Sequence, residues 1–198
     1  MQLFWLLIFS VVLIWSVINP HDYPTWILEA SPALIALLVM AMTRSTFPLT
    51  PLLYVLILLH SILLMVGAHY TYAEVPLFDW ISEMLGHTRN NFDKLGHFMQ
   101  GFVPAIAARE ILVRKEVVND RSWLNLIVVA VSLAISAFYE LLEWITAEIM
   151  GGGAEAFLGT QGYVWDTQSD MALALLGAVA ALVLFGRIHD DQLTRLQQ

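Results

Sequence analysis

Pro51-Leu52-Leu53-Tyr54-Val55-Leu56-Ile57-Leu58-Leu59-His60-Ser61-Ile62-Leu63-Leu64-Met65-Val66-Gly67-Ala68-His69-Tyr70 contains no Asp, Glu, Lys or Arg. A helix of about 20 apolar residues, rising roughly 1.5 Å per residue, matches the hydrocarbon thickness of a bilayer. Five further windows of the same kind surround it, at approximately residues 2–18, 26–43, 95–113, 123–147 and 169–188. Composition agrees: the chain is 59% hydrophobic and 13% charged, with a mean hydropathy of +0.70. Soluble domains carry roughly 25% charged residues, so half that amount makes lipid the expected solvent. Six such helices use most of the 198 residues. The expected fold is therefore all-α: an integral membrane bundle of six transmembrane helices, a single domain over residues 1–198, surrounded by membrane lipids.

The first window reads as a permanent helix rather than a signal peptide. It lacks a basic leader, and Asn19-Pro20-His21-Asp22 offers no small-residue cleavage site. The absence of cysteine excludes disulfides, haem attachment and thiolate metal sites. A net charge of -8 speaks against nucleic acid as a partner, because phosphate binding needs a basic patch. Arg44, Arg109, Arg114, Lys115, Arg121, Arg187 and Arg195 fall on one side of the predicted bundle, and only Arg89 and Lys94 on the other. The excess of basic residues on cytoplasmic loops then places both termini in the cytoplasm.

Within this frame the first span faces lipid, and Pro20, Pro24 and Pro32 frame the turn into the second. Trp15 and Trp26 stand near the interfacial belt. Residues 44–48 read as a tight turn, and His60 as a hydrogen-bonded core residue. Residues 75–86 carry a helical pattern, with Pro76 suited to a first turn and Gly86 to a stop. That segment reads as a surface helix lying flat on the outer membrane, as a lid, or as a plain packing loop. Small residues (Gly96, Gly101 and Ala105 on the fourth span, Ala174, Gly177 and Ala178 on the sixth) allow close helix approach. Gly151-Gly152-Gly153 reads as a hinge in the last external loop.

The polar residues that interrupt these spans carry the functional signal. Asp93, His97 and either Gln100 or Gly101 share a face of the fourth span, and Ser132, Ser136, Glu140 and Glu143 form a stripe on the fifth. Asp166 and Asp170 share a face at the mouth of the sixth. Three spans thus present acids at one depth on the outer side, where unpaired ionisable groups are costly. Carboxylates around one histidine form a set of hard oxygen ligands with one nitrogen. Such a set suits Mg²⁺, Mn²⁺ or Ca²⁺, and Zn²⁺ or Fe²⁺ less exclusively. The metal-ligand candidates are His97, Glu140, Glu143, Asp166 and Asp170. The catalytic candidates are Asp93, Lys94, His97, Glu140 and Asp166, with Asp93 orienting His97 or joining the ligands and Lys94 meeting an anionic head group. The reaction class would be hydrolysis or transfer on a lipid or lipid-linked substrate.

Two other uses fit the same residues. Crowded carboxylates and a histidine can relay protons in a small transporter, although the cytoplasmic half shows no matching chain of acids. A structural clasp is the other: Lys94 pairs with Glu140 or Glu143, Asp93 caps its helix, and the protein binds or assembles without catalysing. Asp166 reads equally as an N-cap, and the turn Gly159-Thr160-Gln161-Gly162 as a backbone cradle for an anion.

Three strings carry a resemblance. Residues 90–98 (NNFDKLGHF), 138–144 (FYELLEW) and 159–171 (GTQGYVWDTQSDM) resemble the YjdF-like family of bacterial inner-membrane proteins, over essentially the whole chain. The resemblance implies a multipass protein of the inner membrane and supplies no reaction. A more distant similarity is to VanZ-like membrane proteins, through Asp93, Lys94, His97, Phe98, Glu140, Asp166 and Asp170. Glu143 stands where Gln is more typical there. That similarity implies a site at the outer surface, near cell-wall or lipid-linked substrates.

Overall fold

A computed structural model describes residues 2–150 and 160–196. Among these the regular structure is entirely helical: α1 Gln2–Val17, α2 Tyr23–Thr43, α3 Pro51–Tyr70, α4 Pro76–Leu85, α5 Phe92–Arg114, α6 Arg121–Met150 and α7 Asp166–Leu196. Four of them, α2, α3, α6 and α7, are long and apolar enough to cross a membrane. α1 is apolar but only 16 residues long. α5 has 23 residues but includes Asp93, Lys94, Arg109, Glu110 and Arg114, which dilute its hydropathy. The triple-glycine hinge and Gly159 lie outside the described residues.

Local sequence explains the helix boundaries. Asp22 caps α2, its carboxylate accepting from the backbone N–H of Thr25 at 2.8 Å. Pro20 sits in the turn, but Pro24 lies in the first turn of α2 and Pro32 inside it. A proline within a helix removes the donor for the carbonyl four residues back. Here Ser31 compensates, its hydroxyl donating to the Leu28 carbonyl at 2.8 Å. The turn after α2 closes through Thr46 and Phe47 N–H groups donating to the Thr43 carbonyl. α4 opens with Pro76 and stops at Gly86, whose φ of 69° is a left-handed conformation that glycine adopts at little cost.

The chain divides into two compact units. The first comprises residues 1–42, 58–96 and 142–164. In it Trp15 packs on His69 (4.4 Å between ring centroids), and the His69 ring bonds the Ser16 carbonyl at 3.1 Å, tying α1 to α3. A small core of Tyr72, Val75 and Phe92 forms beneath α4. The Tyr72 ring fits only because its neighbours are glycines: a Cβ on Gly67 would come within 2.2 Å of it, and one on Gly96 within 2.8 Å.

The second unit comprises residues 43–57, 97–141 and 165–198. Its core is Leu53, Leu56, Phe102, Val103, Ile106, Leu124 and Val128, with Ala105, Ala178 and Ala181. α5 and α7 touch backbone to backbone: a Cβ on Gly101 would lie 1.8 Å from the Ala174 carbonyl oxygen, and one on Gly177 2.0 Å from that of Phe98. This close approach fixes the register of the two helices and brings their polar residues to matching levels.

Candidate functional site

At one end of the second unit, helix periodicity carries His97 and Gln100 on α5, Ser132, Ser136 and Glu140 on α6, and Asp166 and Asp170 on α7. The Gly101–Ala174 contact sets His97 beside Asp170, each one turn before a contact residue. His97 Nε2 lies 3.9 Å from an Asp170 carboxylate oxygen, and Nδ1 lies 3.8 Å from one of Glu140. All three residues are buried. The carboxylates therefore take opposite edges of one imidazole. Nδ1 also lies 3.2 Å from the Gln100 side-chain oxygen. That oxygen accepts only, so a hydrogen bond between the two requires a proton on Nδ1. Ser136, one turn deeper than Glu140, is buried with no hydrogen-bond partner for its hydroxyl among the described residues, whereas the Ser132 hydroxyl donates to the Val128 carbonyl at 3.1 Å.

Asp93 and Glu143 lie one turn from His97 and Glu140 along the same helices. Asp93 belongs to the first unit, where its carboxylate lies 3.1 Å from the Arg89 guanidinium and 3.8 Å from the Lys94 ammonium. At the start of α5 the Asn90 side-chain oxygen accepts from the Phe92 N–H at 3.1 Å. Asp166 is buried and is the first residue of α7 rather than the cap before it, and it belongs to neither close metal-type set among the described residues. The turn after Gly159 holds the start of α5. Gln161 bonds both the N–H and the carbonyl of Asn90, each at 2.9 Å, and Arg89 donates to the Thr160 carbonyl at 2.8 Å. Arg89 and Lys94 both lie over the Tyr163 ring. His60 also departs from expectation: its Nε2 is buried with no hydrogen-bond partner among the described residues.

A second polar cluster sits at the other end of the second unit and was missed in the sequence. Glu110 and His189 are 0% exposed. The Glu110 carboxylate accepts from the Thr50 N–H and hydroxyl, from Arg114 and from His189 Nε2. Arg109 donates to His189 Nδ1 at 3.0 Å and to Asp190, which Arg121 also binds. Glu110 is thus a buried acid at this end of the second unit, which the sequence reading did not single out. Glu110 is stable there because each bond it accepts offsets its desolvation. The signal was present in the sequence, as the doublets Arg109-Glu110 and His189-Asp190 end two neighbouring spans. Phe102, Val103, Ile106 and Val128 fill the core between the two clusters.

Apolar helices of spanning length, with ionisable side chains buried among them, define a helical multipass membrane protein. Residues 1–191 match the family described as "Predicted membrane protein (DUF2238)", and the chain belongs to that family. It is 53% identical over 186 residues to the inner membrane protein YjdF of Escherichia coli (strain K12), covering 94% of this chain and 89% of that one. The YjdF-like kinship read from the three strings is thereby shown. No solved structure matches the chain.

Proposed function

We propose that the chain is a six-span inner-membrane protein with both termini in the cytoplasm, α1 and α5 completing the four apolar spans. In this reading His97 Nε2 and Asp170 form an outward-facing centre that binds a divalent cation, Glu140 stands at the other edge of the ring, and the centre serves hydrolysis or transfer on a lipid or lipid-linked substrate. The observation that carries it is the approach of His97 Nδ1 to the Gln100 side-chain oxygen. A ligating histidine typically donates its other ring N–H to an oxygen acceptor, and Gln100 supplies that acceptor at 3.2 Å. Two ligands bonded to one ion at about 2.1 Å stand about 3.0–4.2 Å apart, and the 3.9 Å between Nε2 and Asp170 lies in that range. The Ser136 hydroxyl on the Glu140 face of α6, unpartnered among the described residues, is further support. Asp93 and Glu143, one turn away along their helices, are the reserve ligands, and Asp166 remains a candidate at the mouth of α7. A hard cation there would activate water or clamp a phosphate.

Mn²⁺ titration of the detergent-purified protein, followed by electron paramagnetic resonance, tests the centre. Near-stoichiometric binding abolished by His97→Ala and by Asp170→Asn supports it. An unaltered parent protein that binds no Mn²⁺, Mg²⁺, Ca²⁺ or Zn²⁺ overturns it. Topology is tested separately by impermeant maleimide, which should label Thr88→Cys in spheroplasts and Asn119→Cys only after lysis.

One observation favours a second reading. The nearly equal 3.8 and 3.9 Å approaches of Glu140 and Asp170 to the two ring nitrogens also suit a protonated imidazolium between two carboxylates. That arrangement is a charge clasp holding α5, α6 and α7, as in a non-catalytic binding or assembly protein. A proton-coupled transporter is less well supported, because the apolar core of the second unit interrupts any polar path along these helices.

A further inference from the structure

The short helix α4 is apolar on two opposite sides, and only one of them is packed. On its inner side Phe78 stacks edge-on against Phe92 at 5.2 Å, and Ser82 is buried, its hydroxyl donating to the Arg89 carbonyl at 2.6 Å. Asn90 locks the first turn, its side-chain amide donating to the Val75 carbonyl at 2.9 Å and to Asp79 at 2.7 Å. Trp80 and Met84 each stand two positions from Ser82, about 160° around the helix from it. With Leu77 they form an outer face that is 60% (Leu77), 59% (Trp80) and 63% (Met84) exposed. These bonds strap α4 to the start of α5.

We infer that this outer face of α4 is an interfacial membrane anchor, embedded in the phospholipid head-group and acyl boundary. α4 starts six residues after the apolar span α3 ends at Tyr70, so it lies at the level where that span leaves the hydrocarbon. Its 10 residues reach only about 15 Å, half of what spanning requires. A helix held at that level presents its apolar face to the boundary region of the lipid, where a tryptophan is at home. Water would leave three large apolar side chains solvated, whereas lipid covers them in continuity with the lipid-facing surface of α3. Because Asn90 and Ser82 couple α4 to the residues opening α5, the anchor sets the depth at which the first turn of α5 sits. The inference is independent of any cation at His97.

The chain has no native cysteine, so single spin labels can be placed directly. Leu77→Cys, Met84→Cys and, on the polar side of α4, Glu83→Cys are each labelled in the full-length protein in phosphatidylcholine–phosphatidylglycerol nanodiscs. Labels at positions 77 and 84 should collide with oxygen more readily than with a water-soluble nickel chelate, and the ratio should invert at position 83. Nickel access at 77 and 84 equal to that at 83 overturns the inference. Dipolar broadening at 77 and 84, relieved by dilution with unlabelled protein, also overturns it, by showing a second copy on that face.

Discussion

The buried carboxylate of Glu110 accepts hydrogen bonds from both the backbone N–H (3.0 Å) and the hydroxyl (2.7 Å) of Thr50. An acid on α5 therefore caps α3 across the second unit, while Gln192 on α7 accepts from the next free N–H, that of Leu52, at 2.9 Å. Helix N-termini carry unsatisfied donors and attract negative charge. Glu110 meets both needs and also neutralises Arg114 at 3.0 Å.

Glu110→Leu should destabilise the protein severely, because it leaves Arg114, His189 and the α3 N-terminus without their acceptor. Breaking a buried pair from one side costs about 3–5 kcal/mol. Thr50→Val removes one hydroxyl donor and should cost only about 1 kcal/mol. Thermal unfolding in detergent compares the two; equal losses would remove the cap from the account.

The same residues show where sequence reading stops. Helix existence was legible wherever an apolar run was long, as for residues 51–70, and α4 was legible because Pro76 and Gly86 carry conformational meaning on their own. The partnership of His97 with Glu140 and Asp170 could be posed from helix periodicity, since each lies near the same end of its span. Its split over two ring edges could not, because that depends on the Gly101–Ala174 register. Glu110 was passed over because Arg109 and Arg114 read as boundary charges. Thr50 drew no reading at all, although it is a donor that lets an acid be buried.

Gly101→Ala and Gly177→Ala should each lower the unfolding temperature. The new methyl meets a backbone carbonyl oxygen at 1.8 Å or 2.0 Å, and neither helix can yield without shifting the other. Overpacking of this kind costs about 1–3 kcal/mol or more. Gly186→Ala on the same helix meets nothing within 4 Å and should be neutral or stabilising, by up to about 1 kcal/mol. Circular dichroism melts of the three variants check the ordering. A harmless Gly101→Ala would contradict the close α5–α7 contact.

Asp22 should give the chain an acid-sensitive helix start. The Thr25 hydroxyl and, next, its backbone N–H stabilise the carboxylate and hold its pKa below the ordinary value, with His21 adding a smaller pull in the same direction. A carboxyl depressed on folding contributes stability above its unfolded pKa of about 3.9, and loses that contribution as pH falls through the folded value. Asp22→Ala should cost about 1 kcal/mol near neutrality, the usual worth of an N-cap. The gap from the parent protein should close below about pH 4. A gap that persists unchanged at pH 3 would show that the charge of Asp22 contributes nothing.

Gln100 offers the sharpest separation between a cation centre and a charge clasp. If Nε2 of His97 is the ligating atom, the proton must stay on Nδ1, and Gln100 holds it there with an acceptor oxygen 3.2 Å away. Gln100→Leu removes that acceptor at similar volume, so the imidazole can place its proton on either nitrogen. Outer-shell partners of ligating histidines typically contribute about 10–100-fold in metal affinity. Gln100→Leu should therefore weaken Mn²⁺ binding by about that factor, while Gln100→Glu, which keeps an acceptor oxygen, should retain most of it. In a clasp the imidazolium donates to Glu140 and Asp170 whatever stands at position 100, and no variant would alter metal uptake because there would be none. The ¹⁵N shifts of the His97 ring discriminate independently. One protonated and one bare nitrogen at neutral pH belong to the cation centre, and two protonated nitrogens belong to the clasp.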